Sequence, residues 1–99
     1  MPYEVVWSAT AVEHLDAFFD YVAENASLWD AENLCARLLQ STDKLTEFPR
    51  LYEAALQYGE GVRRISLLGC HVLYEVDESA HLVNVLAVVG QRQQSRMVR

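Results

Sequence analysis

The sequence predicts an α+β fold of two layers in the order β-α-α-β-β-β, with a helical hairpin on one face of a mostly antiparallel sheet. Three observations predict it. From Val62 to Val76 apolar residues alternate with a period of two on either side of Gly69, the mark of half-buried strands meeting at a tight reversal. From Thr10 to Phe48 the apolar period is instead that of a helix. A third apolar run, Leu82 to Val89, follows the polar turn Asp77-Glu78-Ser79-Ala80, so the last three strands form a meander.

Taken in order, Tyr3, Val5 and Trp7 alternate with Glu4 and Val6 as a first strand. Thr10 stands three residues before Glu13, the spacing of a capping box, and Ser8 is a second candidate cap. Leu15, Phe18, Phe19 and Val22 then recur on one side of an amphipathic helix, with Asp16, Asp20 and Glu24 on the others. Glu24-Asn25-Ala26-Ser27 interrupts it, and Ser27 or Asp30 can cap a second helix. There Ala31, Leu34, Leu38, Leu45 and Phe48 form the apolar stripe, with Thr42 on the same line, until Pro49 stops the helix. So short a connection makes the two helices antiparallel. The segment from Arg50 to Gly61 carries Leu51, Tyr52, Leu56 and Tyr58, too apolar for a solvated linker, and is expected to pack along the core edge. In the meander Arg63, Ile65 and Leu67 share a face opposite Val62, Arg64 and Ser66. Likewise Cys70, Val72, Tyr74 and Val76 oppose His71, Leu73 and Glu75, while Gly69 supplies the positive φ of the reversal.

At 99 residues the chain is expected to be one domain, with residues 90–99 a basic tail. A hydrophobic share of 52% against 22% charged residues excludes an unfolded chain. No apolar run reaches the ~20 residues of a membrane span, and no basic stretch precedes an apolar one at Met1, so a soluble cytoplasmic protein without membrane contact is expected. Cys35 and Cys70 lack a CxxC spacing; free buried thiols are expected, with a disulfide as the alternative. His14, His71 and His81 show no ligand spacing with the cysteines or with each other, so neither a metal nor another cofactor is expected. His14 and His81 read as surface residues.

The net charge of −6 is unevenly placed. From Ser8 to Phe48 eight acids (Glu13, Asp16, Asp20, Glu24, Asp30, Glu32, Asp43 and Glu47) face only Arg37 and Lys44. Beyond Gly90 there are Arg92, Arg96 and Arg99 and no acid. An acidic helical layer repels a phosphate backbone, so any nucleic-acid contact must come from the strands and the tail. The sheet face away from the helices would carry Leu73 and, depending on register, Leu86 and Val88 beside Arg64, His71 and Glu75. Such a mixed face is either a binding surface or the seat of the tail or of the segment 50–61.

An ordered set of short matches resembles the RelE/ParE toxins of bacterial type II toxin–antitoxin pairs. It comprises the first strand into Ser8-Ala9, Asp20-Tyr21-Val22-Ala23-Glu24, Glu47-Phe48-Pro49-Arg50, Gly61-Val62-Arg63, Gly69-Cys70-His71-Val72-Leu73-Tyr74-Glu75-Val76, and Val85-Leu86 leading to Gly90-Gln91-Arg92. The resemblance implies the same β-α-α-β-β-β layout and a growth-stopping toxin held inactive by a cognate antitoxin, ParD-like or similar. Leu73, Leu86 and Val88 are then the expected antitoxin contacts. ParE-like members of the family bind DNA gyrase and trap it on cleaved DNA. Glu47-Phe48-Pro49-Arg50 and Gly69-Cys70-His71-Val72 favour that branch, with Arg92, Arg96 and Arg99 as target contacts. RelE-like members cut mRNA on the ribosome, and Ala87-Val88-Val89-Gly90-Gln91-Arg92 resembles that branch. In this alternative His71, Arg64 and Arg92 would be catalytic: His71 as base toward the 2′-hydroxyl, the arginines against the phosphorane charge. The tail lacks the tyrosine common in the nucleases, and Val62 and Ser66 stand where they are usually basic. Arg64, His71 and Arg92 could equally be the plain polar side of the sheet. A non-toxic, antitoxin-binding module is the third reading.

Overall fold

A computed structural model describes residues 2–67 and 69–90. It contains β1 (Glu4–Trp7), α1 (Ala9–Asn25), α2 (Leu28–Asp43), β2 (Val62–Leu67), β3 (Cys70–Asp77) and β4 (Leu82–Gly90), with single 3-10 turns at Lys44–Thr46 and Leu56–Tyr58. The strands form one sheet in the order β1-β4-β3-β2. β1 runs parallel to β4 and the other two pairings are antiparallel, so the expected α+β two-layer fold is present.

Both helices begin at serines whose hydroxyls satisfy amides the first turn leaves open. Ser8 Oγ accepts from Ala11 N at 3.0 Å, and Ser27 Oγ accepts from Asp30 N at 3.0 Å. The cap of α1 is thus Ser8, not Thr10. α2 ends at Asp43, where the chain tightens into the 3-10 turn. Leu45 keeps to the core, but Phe48 leaves the stripe expected for it and is exposed.

The core lies between the helices and one sheet face. Leu38, Leu45 and Ala11 are buried there against Ile65, Cys70, Val72, Tyr74, Val83, Val85 and Val88, with Leu15 and Phe18 packed alongside. Val72 opposes Ile65 on β2 and Val88 on β4, and Tyr74 opposes Arg63 and Val85. Strict alternation from Val83 and Val85 would send Leu86 and Val88 to the outer face. The register instead slips between Leu73 and Tyr74: Tyr74 faces Val85 and Leu73 faces Ala87, leaving Leu86 as the extra residue of a bulge. The bulge reverses the phase of the strand, so Val88 turns into the core and is 5% exposed, while Ala87 and Val89 take the outer face.

Candidate functional site

The outer face of the sheet brings together Arg64 and Ser66 of β2 with Leu73 and His71 of β3, directly opposite one another in register. Over this half of the sheet the segment before β2 folds back as a short fifth edge. Ala54 bridges to Arg63, Ala55 N donates to Val62 O at 2.8 Å, and Arg64 N donates to Glu53 O at 3.1 Å. The same segment supplies two side chains to the site. Glu53 Oε2 accepts from Arg64 Nε at 2.6 Å, and Tyr58 Oη lies 3.5 Å from His71 Nδ1 with the rings edge to face. The segment from Arg50 to Gly61 thus meets the sheet edge through its backbone, Tyr52 and Tyr58, while Leu51 and Leu56, also expected to pack there, are exposed.

His71 is 8% exposed and Leu73 6%. Burial holds the His71 imidazole below its ordinary pKa; the neighbouring Arg64 charge pushes the same way, and Glu53 opposes both. At neutral pH His71 is therefore uncharged, while the Arg64 guanidinium is matched by a carboxylate. A neutral imidazole can accept a proton, so the chemistry asked of a base is available. The arginine, however, presents no unmatched charge from this position.

Of the residues expected to act together, Arg64 and His71 are neighbours; Arg92, Arg96 and Arg99 lie outside the described residues. Among the expected partner contacts only Leu73 sits squarely on the outer face. Leu86 is half-buried in the bulge with its carbonyl accepting from Ser8 Oγ at 3.2 Å, and Val88 belongs to the core. Val6 on β1 remains exposed on the outer face opposite Asn84 of β4, and Ala87 and Val89 lie half-buried further along that strand. Glu53 and Tyr58 carried no periodic signal, because what places them is a fold-back and not a repeat.

The remaining polar groups serve the fold. The Cys70 thiol is buried, donates to Leu67 O at 3.3 Å, and is pushed up to about 11 by burial and then by nearby Cys35; both cysteines are free. The Tyr74 hydroxyl is enclosed, which raises its pKa against the opposing pull of the Tyr52 backbone and Arg63. Arg63 itself donates to Tyr52 O at 2.7 Å. His81 is exposed and stacks on Tyr3, with ring centroids 4.8 Å apart. His14, by contrast, accepts from Val88 N at 3.2 Å through Nδ1 and so ties α1 to β4. Among the described residues no group of three His, Cys, Asp or Glu could hold a metal ion, and no helix is long and apolar enough to cross a membrane.

Residues 5–95 match the sequence profile described as the ParE toxin of the type II toxin-antitoxin system, parDE. The chain belongs to the ParE/RelE family of type II toxins. Solved structures share the fold at low identity. The chromosomal ParDE system from P. aeruginosa superposes with a TM-score of 0.77 at 16% identity, covering 89% of this chain and 95% of that one. The RelBE2 toxin–antitoxin complex from Mycobacterium tuberculosis gives 0.69 at 18%, covering 91% and 99%. A doubly substituted E. coli RelE in the free state gives 0.68 at 18%, covering 99% and 92%. No curated protein sequence matches significantly.

Proposed function

We propose that this toxin stops growth by binding DNA gyrase rather than by cutting RNA, and that a cognate antitoxin holds it inactive. The observation that carries the choice is the state of the outer face. Arg64 is held by Glu53 at 2.6 Å, and His71 is buried and neutral, so the pair lacks the cationic surface on which RNA phosphates would dock. The match to the ParE profile supports the same branch. The target contacts are then the tail arginines Arg92, Arg96 and Arg99, and no side chain serves as acid or base. The antitoxin partner is proposed from the family and from the toxin–antitoxin complexes among the similar structures. Its contact strip on the outer face shifts, with the bulge, from Leu86 and Val88 to Val6, Ala87 and Val89 beside Leu73.

The nearness of Arg64 and His71 favours mRNA cleavage as the second reading. Three induced proteins separate the possibilities in growing bacteria: the parent chain, His71→Gln, and a chain truncated after Gly90. Gyrase binding predicts that His71→Gln still arrests growth and that truncation relieves the arrest. Arrest abolished by His71→Gln and kept by the truncated chain would reverse the assignment. No arrest from the parent would leave an antitoxin-binding module.

A further inference from the structure

Residues 53–58, the part of the fold-back that reaches the outer face, form a strap between two distinct ends. At its root Arg63 donates to Tyr52 O at 2.7 Å, and Arg50 pairs with Glu78 of the β3–β4 turn. At its far end Gly59 and Gly61 take positive φ values of 136° and 82°, which other residues rarely adopt. Between these ends only Ala55 is fully buried and Tyr58 is half-buried, while Glu53, Ala54, Leu56 and Gln57 are exposed. An edge stretch with so little buried surface is of the kind that opens locally while the rest stays folded. Two side chains of the outer face are shut in against it. Val62 is 7% exposed, and a Cβ built on Gly59 would stand 3.4 Å from its Cγ2. His71 is buried with the Tyr58 ring edge-on to its own.

We propose that acid releases this strap: when His71 takes up a proton, residues 53–58 detach from the sheet edge while the helices and the four strands stay folded. The closed strap suits a neutral ring and opposes a charged one. The Tyr58 hydroxyl, 3.5 Å from Nδ1, can donate to a bare ring nitrogen, whereas a protonated ring offers only donors. Burial strips water from the charge, and the Arg64 guanidinium repels it. Glu53 attracts it, but that carboxylate is already engaged by Arg64 at 2.6 Å. The register partners of His71, Ser66 on β2 and Val89 on β4, bring no charge, and Glu75 stands on the same face of β3 with Leu73 between. Opening the strap gives the ring back its water, so the open form binds the proton more tightly than the closed one. By linkage, acid then shifts the balance toward the open form. Release uncovers Val62 and frees Arg64 from Glu53. This device is independent of which target the toxin binds and does not rest on the gyrase reading.

Native-state hydrogen exchange of the full chain, corrected for the intrinsic rate at each pH, tests this. The amide of Ala55, bonded to Val62 O, and that of Arg64, bonded to Glu53 O, report the strap, and the amides of β3 and β4 report the whole fold. Both strap amides should be at least about tenfold less protected than the slowest amides of β3 and β4. Low urea should hardly change their exchange, because a local opening exposes little surface. As the pH falls below about 7 their protection should drop, by up to about tenfold one unit under the ordinary imidazole pKa of ~6.5. His71→Gln should abolish that step; His71→Phe, which keeps a ring against Tyr58, replaces it if circular dichroism shows that variant unfolded. A disulfide between Ala54→Cys and Arg63→Cys, placed at bridged positions, should slow Ala55 and Arg64 to the level of β3 and β4, and reduction should undo this. Strap amides that exchange only with the whole fold, or protection that ignores pH, would overturn the proposal. So would a pH step that survives in the His71 variant, or early exchange that persists under the disulfide.

Discussion

His71 is a base kept neutral by where it sits. Burial lowers its pKa in the folded chain, Arg64 adds to the effect and Glu53 subtracts from it. The unfolded chain, with an imidazole near its ordinary ~6.5, then binds more protons than the folded one as the pH falls past that value. Stability from this residue is therefore complete above the unfolded pKa and is lost as the pH falls toward the folded one. The urea midpoint should drop as the pH falls below about 7, and His71→Gln should remove part of that drop. An identical drop in both proteins would show that His71 contributes none of it. Asp77, whose pKa is lowered chiefly by the Ser79 hydroxyl, acts in a more acidic window and does not confuse the comparison. The polar partners around His71 were beyond reach of the sequence. Alternation places Arg64 and His71 on one face, but Glu53 and Tyr58 arrive by a fold-back whose register depends on tertiary packing. His14 teaches the same lesson: helical spacing puts it on a flank, and only the docked strand makes it an acceptor for Val88 N.

At the scale of elements, the strongly periodic pieces were legible because each has one face to bury. The helical hairpin, the β2–β3 reversal and the last strand all follow from the apolar pattern, and Gly69 adopts the positive φ of 85° that its place in the turn requires. Leu38 shows how far the helical stripe can be trusted. It is 1% exposed at the centre of α2, so Leu38→Ala should lower stability by about 2–5 kcal/mol, read as a lower urea midpoint with an unchanged slope. An unshifted midpoint would mean that the hairpin does not pack on the sheet through this residue. Two departures were not legible. The bulge at Leu86 adds one residue to β4 and exchanges the faces of everything beyond it, which no count of alternating residues reveals. The 3-10 turn after Asp43 ends α2 before Pro49 and lets Phe48 swing out, because a tighter turn changes the angular spacing that the stripe assumes.

Across the whole molecule, charge divides the surface into functions. The helices carry the acids, the outer face of the sheet pairs its arginine internally, and the chain's end beyond Gly90 is basic in sequence. A toxin so charged has little to bind RNA with except its last ten residues. That makes target choice the central claim, and purified protein can decide it. Supercoiling by DNA gyrase and mRNA cleavage on ribosomes should be assayed side by side with the parent chain and His71→Gln. Gyrase poisoning is predicted, with accumulation of cleaved DNA, no RNA cleavage, and the same potency in both proteins. Cleavage of mRNA by the parent, lost on the order of 10²-fold or more in His71→Gln and with gyrase untouched, would contradict the account.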